Sequence, residues 1–183
     1  VGRVRMSVVR RIDLRKGHPR LLPDALIAAA CRATMVAVEG GNQSLSYGCA
    51  RGGRRFLNAL AQFLARAYAA PSSANMLMTT NGASHSLELA LSVFSKPGDV
   101  MLVEEPSYFL ATQMFVDAGL RVAGLPSDAD GLMTDVLRSG LSDGTLPKPT
   151  LLYLIPSHSN PSGRSLSLER RCELLRLPGA DDF

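Results

Sequence analysis

The sequence predicts an α/β domain built on a mostly parallel sheet. Three observations predict it. From residue 76 onward, short apolar runs alternate with segments of helical period. Gly, Pro, Asn or Asp punctuates each change of rhythm. The run Thr150–Ile155 is almost wholly apolar, as expected of a strand covered on both faces. With no internal repeat or low-complexity tract, a repeat architecture is excluded.

Taken in order, residues 1–22 read as an irregular arm. Pro23 then opens a helix, with Leu26, Ile27, Ala30 and Thr34 on one face, and Gly40-Gly41-Asn42 breaks it. The clearest helix covers about 52–69, where Phe56, Leu57, Leu60, Phe63, Leu64 and Ala67 form an amphipathic stripe. Residues 1–70 therefore form an arm and helical segment, and 71–183 the main domain. In that domain Met76–Thr80 reads as a strand and Ser84–Phe94 as a helix with Leu87, Leu91 and Phe94 inward. Pro97-Gly98-Asp99 is a turn and Val100–Val103 a strand. Tyr108–Ala118 is a helix stopped by Gly119, followed by a strand over Arg121–Leu125. Residues 126–148 form a loop with a short helix near Thr134–Ser139. Ser167 caps a last helix, with Glu169 in its first turn.

Composition narrows the function classes. Hydrophobic residues make up 46% of the chain, enough for a core, yet no apolar run reaches the roughly 20 residues that span a bilayer. A net charge of +4 raises the question of a polyanionic partner, but the basic residues are dispersed and no basic–aromatic interleaving accompanies them. The expectation is no nucleic acid and no membrane. Cys31, Cys49 and Cys172 show no metal-ligand spacing, so no metal is expected and a reducing compartment is. No targeting signal is evident, which suggests a cytoplasmic protein or one of an organelle matrix.

Three loops follow strands at the carboxyl side, where sheets of this kind bind ligands. Thr80-Asn81-Gly82-Ala83-Ser84 joins a strand to a helix. Its free N–H groups and helix N-terminus suit a phosphate, and its bland alternative is a tight turn with Ser84 as N-cap. Glu104-Glu105-Pro106-Ser107-Tyr108 offers a ring able to stack on a flat ligand, or a half-buried packing tyrosine; the two glutamates read as hydrogen-bonded or solvated groups at a strand end. Ile155-Pro156-Ser157-His158-Ser159-Asn160-Pro161-Ser162-Gly163 holds the Asn160 amide on a stiff turn, with or without a ligand.

Taken together, Asn81-Gly82-Ala83-Ser84, Pro97-Gly98-Asp99 with Val100-Met101-Leu102-Val103-Glu104-Glu105-Pro106-Ser107-Tyr108, and Ser159-Asn160-Pro161-Ser162-Gly163 are more specific than any one of them. In order and spacing they resemble the class I/II aminotransferases of fold type I, which use pyridoxal 5′-phosphate (PLP). The likeness is to the kynurenine/2-aminoadipate aminotransferase branch and to the aminotransferase-like domains of MocR regulators. Tyr47-Gly48 ahead of Gly52-Gly53, and Asp13–Pro19 with Leu21-Leu22-Pro23, match the segments before the large domain, so the resemblance covers about residues 10–177. It implies the three-layer PLP-transferase large domain, here incomplete, and amino-group transfer between an amino acid and a 2-oxo acid in a homodimeric parent.

The resemblance also implies roles. The backbone of Ala83 and Ser84, with the Ser84 hydroxyl, would hold the cofactor phosphate. Tyr108 would stack on the pyridine ring. Asn160 would bond the ring hydroxyl oxygen and lie near the substrate carboxylate. Tyr47 would reach the phosphate bound by a neighbouring subunit, and Gly17 would border the substrate pocket. The family's ring-nitrogen aspartate, its Schiff-base lysine and its late arginine are expected beyond Asp181-Asp182-Phe183. The lysines of this sequence are Lys16, Lys96 and Lys148, and none matches the family position. The chain by itself is therefore expected to be inactive, with no catalytic residue of its own. Two alternatives stay open: a non-catalytic PLP-binding regulatory module, and another fold-type-I enzyme such as a carbon–sulfur lyase or an aminocyclopropane-carboxylate synthase. The absence of GxGxxG and GxxxxGK[ST] patterns speaks against an unrelated nucleotide-binding domain.

Overall fold

The computed structural model describes residues 22–40 and 47–177. The chain divides into two compact units, Val1–Met78 and Thr79–Phe183.

In the first unit, α1 spans Asp24–Glu39 and α2 spans Arg54–Tyr68. Pro23, with φ −57°, stands at the N-cap of α1, and Asp24 puts a negative charge in the first turn, where the helix dipole favours it. No residue of α1 is buried, so the face expected from Leu26, Ile27, Ala30 and Thr34 stays open in the described structure. In α2 the inward residues are Leu57 and Ala61, whereas Phe56 and Phe63 are more than half exposed. The buried stripe is thus narrower than the apolar one. A short 3-10 turn, Ala74–Met76, follows, and the Arg51 guanidinium donates to the Asn75 carbonyl at 2.6 Å. The strand expected over 76–80 does not form. Leu77 is extended (φ −118°, ψ 148°), but the segment joins no ladder among the described residues, and extended backbone becomes a strand only beside a partner.

The second unit is the α/β domain. Helix α3 (Gly82–Phe94) leads to β1 (Val100–Glu105), α4 (Phe109–Asp117), β2 (Arg121–Asp128), β3 (Gly131–Leu132), α5 (Thr134–Asp143), β4 (Leu151–Tyr153) and α6 (Leu168–Leu174). The sheet order is β3-β2-β1-β4. β1 is parallel to both β2 and β4, and only the two-residue β3 runs antiparallel to β2. The turn before β1 closes as expected, with the Asp99 N–H donating to the Lys96 carbonyl at 3.1 Å. Gly119, at φ +80°, takes the left-handed conformation that ends α4.

Strand periodicity builds three layers. Met101 and Val103 pack with Leu91 of α3 and with Ala111 and Phe115 of α4. Val100 and Leu102, pointing the other way, pack with Leu125, Leu132 and Leu137, and Leu174 of α6 joins them. β1 is therefore covered on both faces, which explains its unbroken apolar run. β4 is only half-buried along its length, contrary to the expectation from its composition, because it pairs with β1 on one side alone in this sheet. Phe94 is another departure: it is exposed rather than inward, since α3 turns its core face through Leu87 and Leu91 and ends before the stripe returns. β3 escaped notice because two residues carry no period.

The face formed by α5 and α6 is closed by polar contacts. Arg170 clasps Asp128 through two nitrogens at 2.6 and 2.7 Å, and the same guanidinium donates to the Gly131 and Leu132 carbonyls. This holds the Asp128 carboxyl down at about 2; the Arg170 hydrogen bond is the main cause and the Asp130 N–H adds to it. Thr134 donates to the Glu173 carboxylate, which also pairs with Arg138 at 3.3 Å. Ser167 caps α6 as expected, its side chain accepting from the Arg170 N–H.

Candidate functional site

Strand order fixes where a ligand fits. After β1 the chain crosses through α4 to β2 on one side, and later returns through α5 to β4 on the other. Because α4 and α5 lie on opposite faces, the loops leaving β1 and β4 diverge and leave a crevice beyond their carboxyl ends. A pocket of about 600 Å³ lies there, within the range of small-molecule sites.

The first wall is the start of α3. Gly82 opens the helix at φ +82°, a conformation that only glycine adopts freely, and no atom lies within 4 Å of where a Cβ would stand. The need for glycine there is conformational. Ala83 and Ser84 follow as the second and third helical residues and both line the pocket. N–H groups of a first helical turn have no intrahelical acceptor, so this wall presents donors at the positive end of the helix dipole. Ser84 is therefore not the N-cap; Asn81 occupies that position. The Asn81 N–H is taken by His85 Nδ1 at 3.1 Å, and the Thr80 and Ser86 hydroxyls meet at 2.6 Å, which pins the loop.

The second wall comes from the loop after β1. Tyr108, the N-cap of α4, is half-buried and lines the pocket, with the edge of Phe109 against it at 5.7 Å between ring centres. The third comes from the loop after β4, where Ile155 and Asn160 line the same pocket. Asn160 is exposed, but its neighbour Ser159 is buried and donates through its hydroxyl to the Glu104 carboxylate at 3.1 Å. The other glutamate, Glu105, is exposed. Leu87, Ala90 and Ala111 supply an apolar floor.

Of the residues singled out from sequence, the structure brings Ala83, Ser84, Tyr108 and Asn160 to one pocket. Tyr47, in the first unit, is fully exposed. Gly17 lies outside the described residues, as does Lys16. Lys96 instead lines a separate groove with Glu88 and Asp117, and Lys148 is exposed, so neither described lysine reaches the pocket. Tyr153 was missed. It lines the pocket from β4, is held edge-on by Phe115 at 5.1 Å, and burial, with Tyr108 nearby, pushes its hydroxyl pKa up. Its signal in the sequence is a polar-headed ring inside the otherwise aliphatic run Leu151–Ile155. Among the described residues there is no His/Cys/Asp/Glu group able to hold a metal, and no helix is long and apolar enough to cross a membrane.

The residues fit a flat phosphorylated ring: donors at a helix N-terminus for an anion, a tyrosine and an apolar floor for the ring, and an amide for a ring substituent.

Comparison with known proteins points the same way. The family model for aminotransferase class I and II matches residues 10–180. An aromatic-amino-acid aminotransferase of Thermococcus litoralis is 34% identical over 77% of this chain and 34% of its own length. An HTH-type transcriptional regulator of Bacillus subtilis is 29% identical over 97% of this chain and 37% of its own. Among solved structures, a kynurenine aminotransferase of Pyrococcus horikoshii, crystallised with PMP, superimposes with a TM-score of 0.76 at 27% identity, covering 88% of this chain and 40% of that one. The chain thus spans between a third and two fifths of the length of these relatives.

Proposed function

Because the chain belongs to the class I and II aminotransferases, we propose that its pocket seats PLP, the cofactor of that family, and that the whole protein moves an amino group between an amino acid and a 2-oxo acid. The observation that carries this is the convergence of Ala83, Ser84, Tyr108 and Asn160 on one pocket from three separate loops.

Each residue then has a task set by its chemistry. The N–H groups of Ala83 and Ser84, with the Ser84 hydroxyl, bind the phosphate at the helix N-terminus. Tyr108 covers one face of the ring, backed by Phe109. Asn160 donates to the ring hydroxyl oxygen from a loop pinned by Ser159, and lies where a substrate carboxylate would approach. Tyr153 brings a phenol hydroxyl into the pocket lining, a group able to donate a hydrogen bond at neutral pH. When bound, the cofactor supplies the electron sink for cleavage at the substrate α-carbon. On this reading the chain's share is to bind and orient the ring, and no turnover by the chain itself is expected; that Lys96 and Lys148 do not line the pocket supports this. Exposed Tyr47 is free to reach the phosphate site of a second copy in a homodimer.

The test is calorimetric titration of the purified chain with pyridoxamine 5′-phosphate, which lacks the aldehyde and cannot form adducts with surface lysines. Saturable binding that inorganic phosphate displaces supports the reading, and no binding refutes it. A second reading is favoured by the likeness to the B. subtilis regulator: a PLP-binding module that senses rather than transfers. Amino-group transfer by the whole protein, measured with amino acid and 2-oxo acid pairs, separates the two.

A further inference from the structure

We infer that the hydrogen bond from Ser159 to Glu104 is a positioning device: it sets the placement of Asn160 relative to Tyr108, and so controls grip on the ring without touching grip on the phosphate. The inference rests on the reading that this pocket holds a pyridoxal-type ring.

Burial is the first reason. Among the described residues only Glu104, Thr134 and Ser159 are buried polar or charged groups, at 5%, 2% and 4% exposure. Two of the three are bonded to each other, and Ser159 adjoins Asn160 in the pocket lining. A carboxylate is costly to bury, so its place here calls for a partner and a purpose.

The second reason is where the bond falls. The ladder between β1 and β4 pairs Met101 with Leu151, Leu102 with Leu152 and Val103 with Tyr153, and there it stops. β1 runs on through Glu104 and Glu105 paired only with β2. Beyond Tyr153 the ladder no longer joins the two strands, and their loops diverge to opposite faces around the crevice. The Ser159–Glu104 bond crosses that gap just past the last ladder pair. It ties the strand that leads into Tyr108 to the residue adjoining Asn160.

The third reason is stiffness. The Ser159 N–H donates to the Arg164 carbonyl at 2.7 Å, the Gly163 N–H donates back to the Ser159 carbonyl, and the His158 N–H donates to Ser165 Oγ at 3.0 Å. The loop is closed on itself around Ser159, so a tether at that side chain moves Asn160 with it. The phosphate wall, by contrast, is the first turn of α3, pinned by its own Thr80–Ser86 and Asn81–His85 contacts. The two halves of the pocket are held by separate sets of bonds.

The experiment titrates the full chain and its Ser159→Ala, Ser159→Thr and Glu104→Gln variants with pyridoxamine 5′-phosphate and with pyridoxamine, and measures inorganic phosphate as a competitor. Loss of the hydroxyl in Ser159→Ala is expected to weaken both ring-bearing ligands by roughly tenfold, the scale of one hydrogen bond to a charged group. The inhibition constant of inorganic phosphate should stay unchanged. Ser159→Thr, which keeps the hydroxyl, should restore ring affinity and the circular dichroism of bound pyridoxamine 5′-phosphate, and Glu104→Gln, whose amide oxygen still accepts from Ser159 but without the charge, should weaken ring binding in the same selective way and by less than Ser159→Ala. Unchanged ring affinity in Ser159→Ala, or ring and phosphate affinity falling together, would overturn the inference. If the unaltered chain binds no pyridoxamine 5′-phosphate, the cofactor reading fails first and takes this inference with it.

Discussion

The two sides of the sheet treat polar groups in opposite ways. On the β2–β3 side, Arg170, Asp128, Thr134, Glu173 and Arg138 spend their hydrogen bonds on one another and on the carbonyls of β3, so the face is shut. On the β1–β4 side, the donors of the α3 N-terminus, Asn160 and the Tyr108 ring border an open pocket, and a buried bond joins Ser159 to Glu104. The same strand, β1, feeds both. The difference teaches how one sheet can treat its two sides differently: one side satisfies its polar groups internally, and the other leaves them facing an open pocket.

The largest expected effect breaks that comparison from the closed side. Leu137, 1% exposed, packs among Leu102, Leu125 and Leu132, so Leu137→Ala should cost about 2–5 kcal/mol in urea denaturation. Under folding conditions its affinity for pyridoxamine 5′-phosphate should match that of the unaltered chain; a proportionate loss of binding would show that the two sides are not independent. Next, Asn160→Ala should weaken the same ligand by roughly tenfold, about 1.4 kcal/mol, with an unchanged unfolding midpoint, since the side chain is exposed. A shifted midpoint with intact binding would assign Asn160 to the fold instead.

A smaller effect concerns acid. Asp128 lies at about 2 in the folded chain against an ordinary 3.8, a depressed value. Its stabilising contribution is therefore complete above about pH 4 and is lost as pH falls toward 2. Arg170→Gln should flatten the acid dependence of the denaturation midpoint in that window, and an unaltered slope would contradict the clasp. Smallest of all, Phe94→Ser should change stability by less than about 0.5 kcal/mol, because the ring is 64% exposed. A loss of core size would mean that Phe94 is inward after all.

Legibility followed burial. β1, α4 and the turn between Lys96 and Asp99 were readable because their side-chain period, Gly119 and the Pro-Gly-Asp sequence all act locally. The four pocket residues were readable because their loops carry unusual residues at helix and strand ends. Segment 76–80 was misjudged because its composition suits a strand and nothing in it names a partner. Phe94, Phe56 and Phe63 were misjudged for a related reason: periodicity shows which residues share a face, not how far the covering surface extends. Ser159 and Tyr153 were overlooked because each acts through a residue distant in sequence, Glu104 at 55 positions for the first and Phe115 for the second.

By itself, the sequence determined the α/β class, the mostly parallel sheet and the three loops whose residues line the pocket, since period, turn chemistry and helix starts are properties of neighbours along the chain. The tertiary structure alone decided that β4 lies on the far side of β1, that the crevice opens where their ladder ends at Tyr153, and that Glu104 reaches Ser159 across it. Those are contacts between segments tens of residues apart, and their energy depends on distances that exist only once the chain has closed on itself.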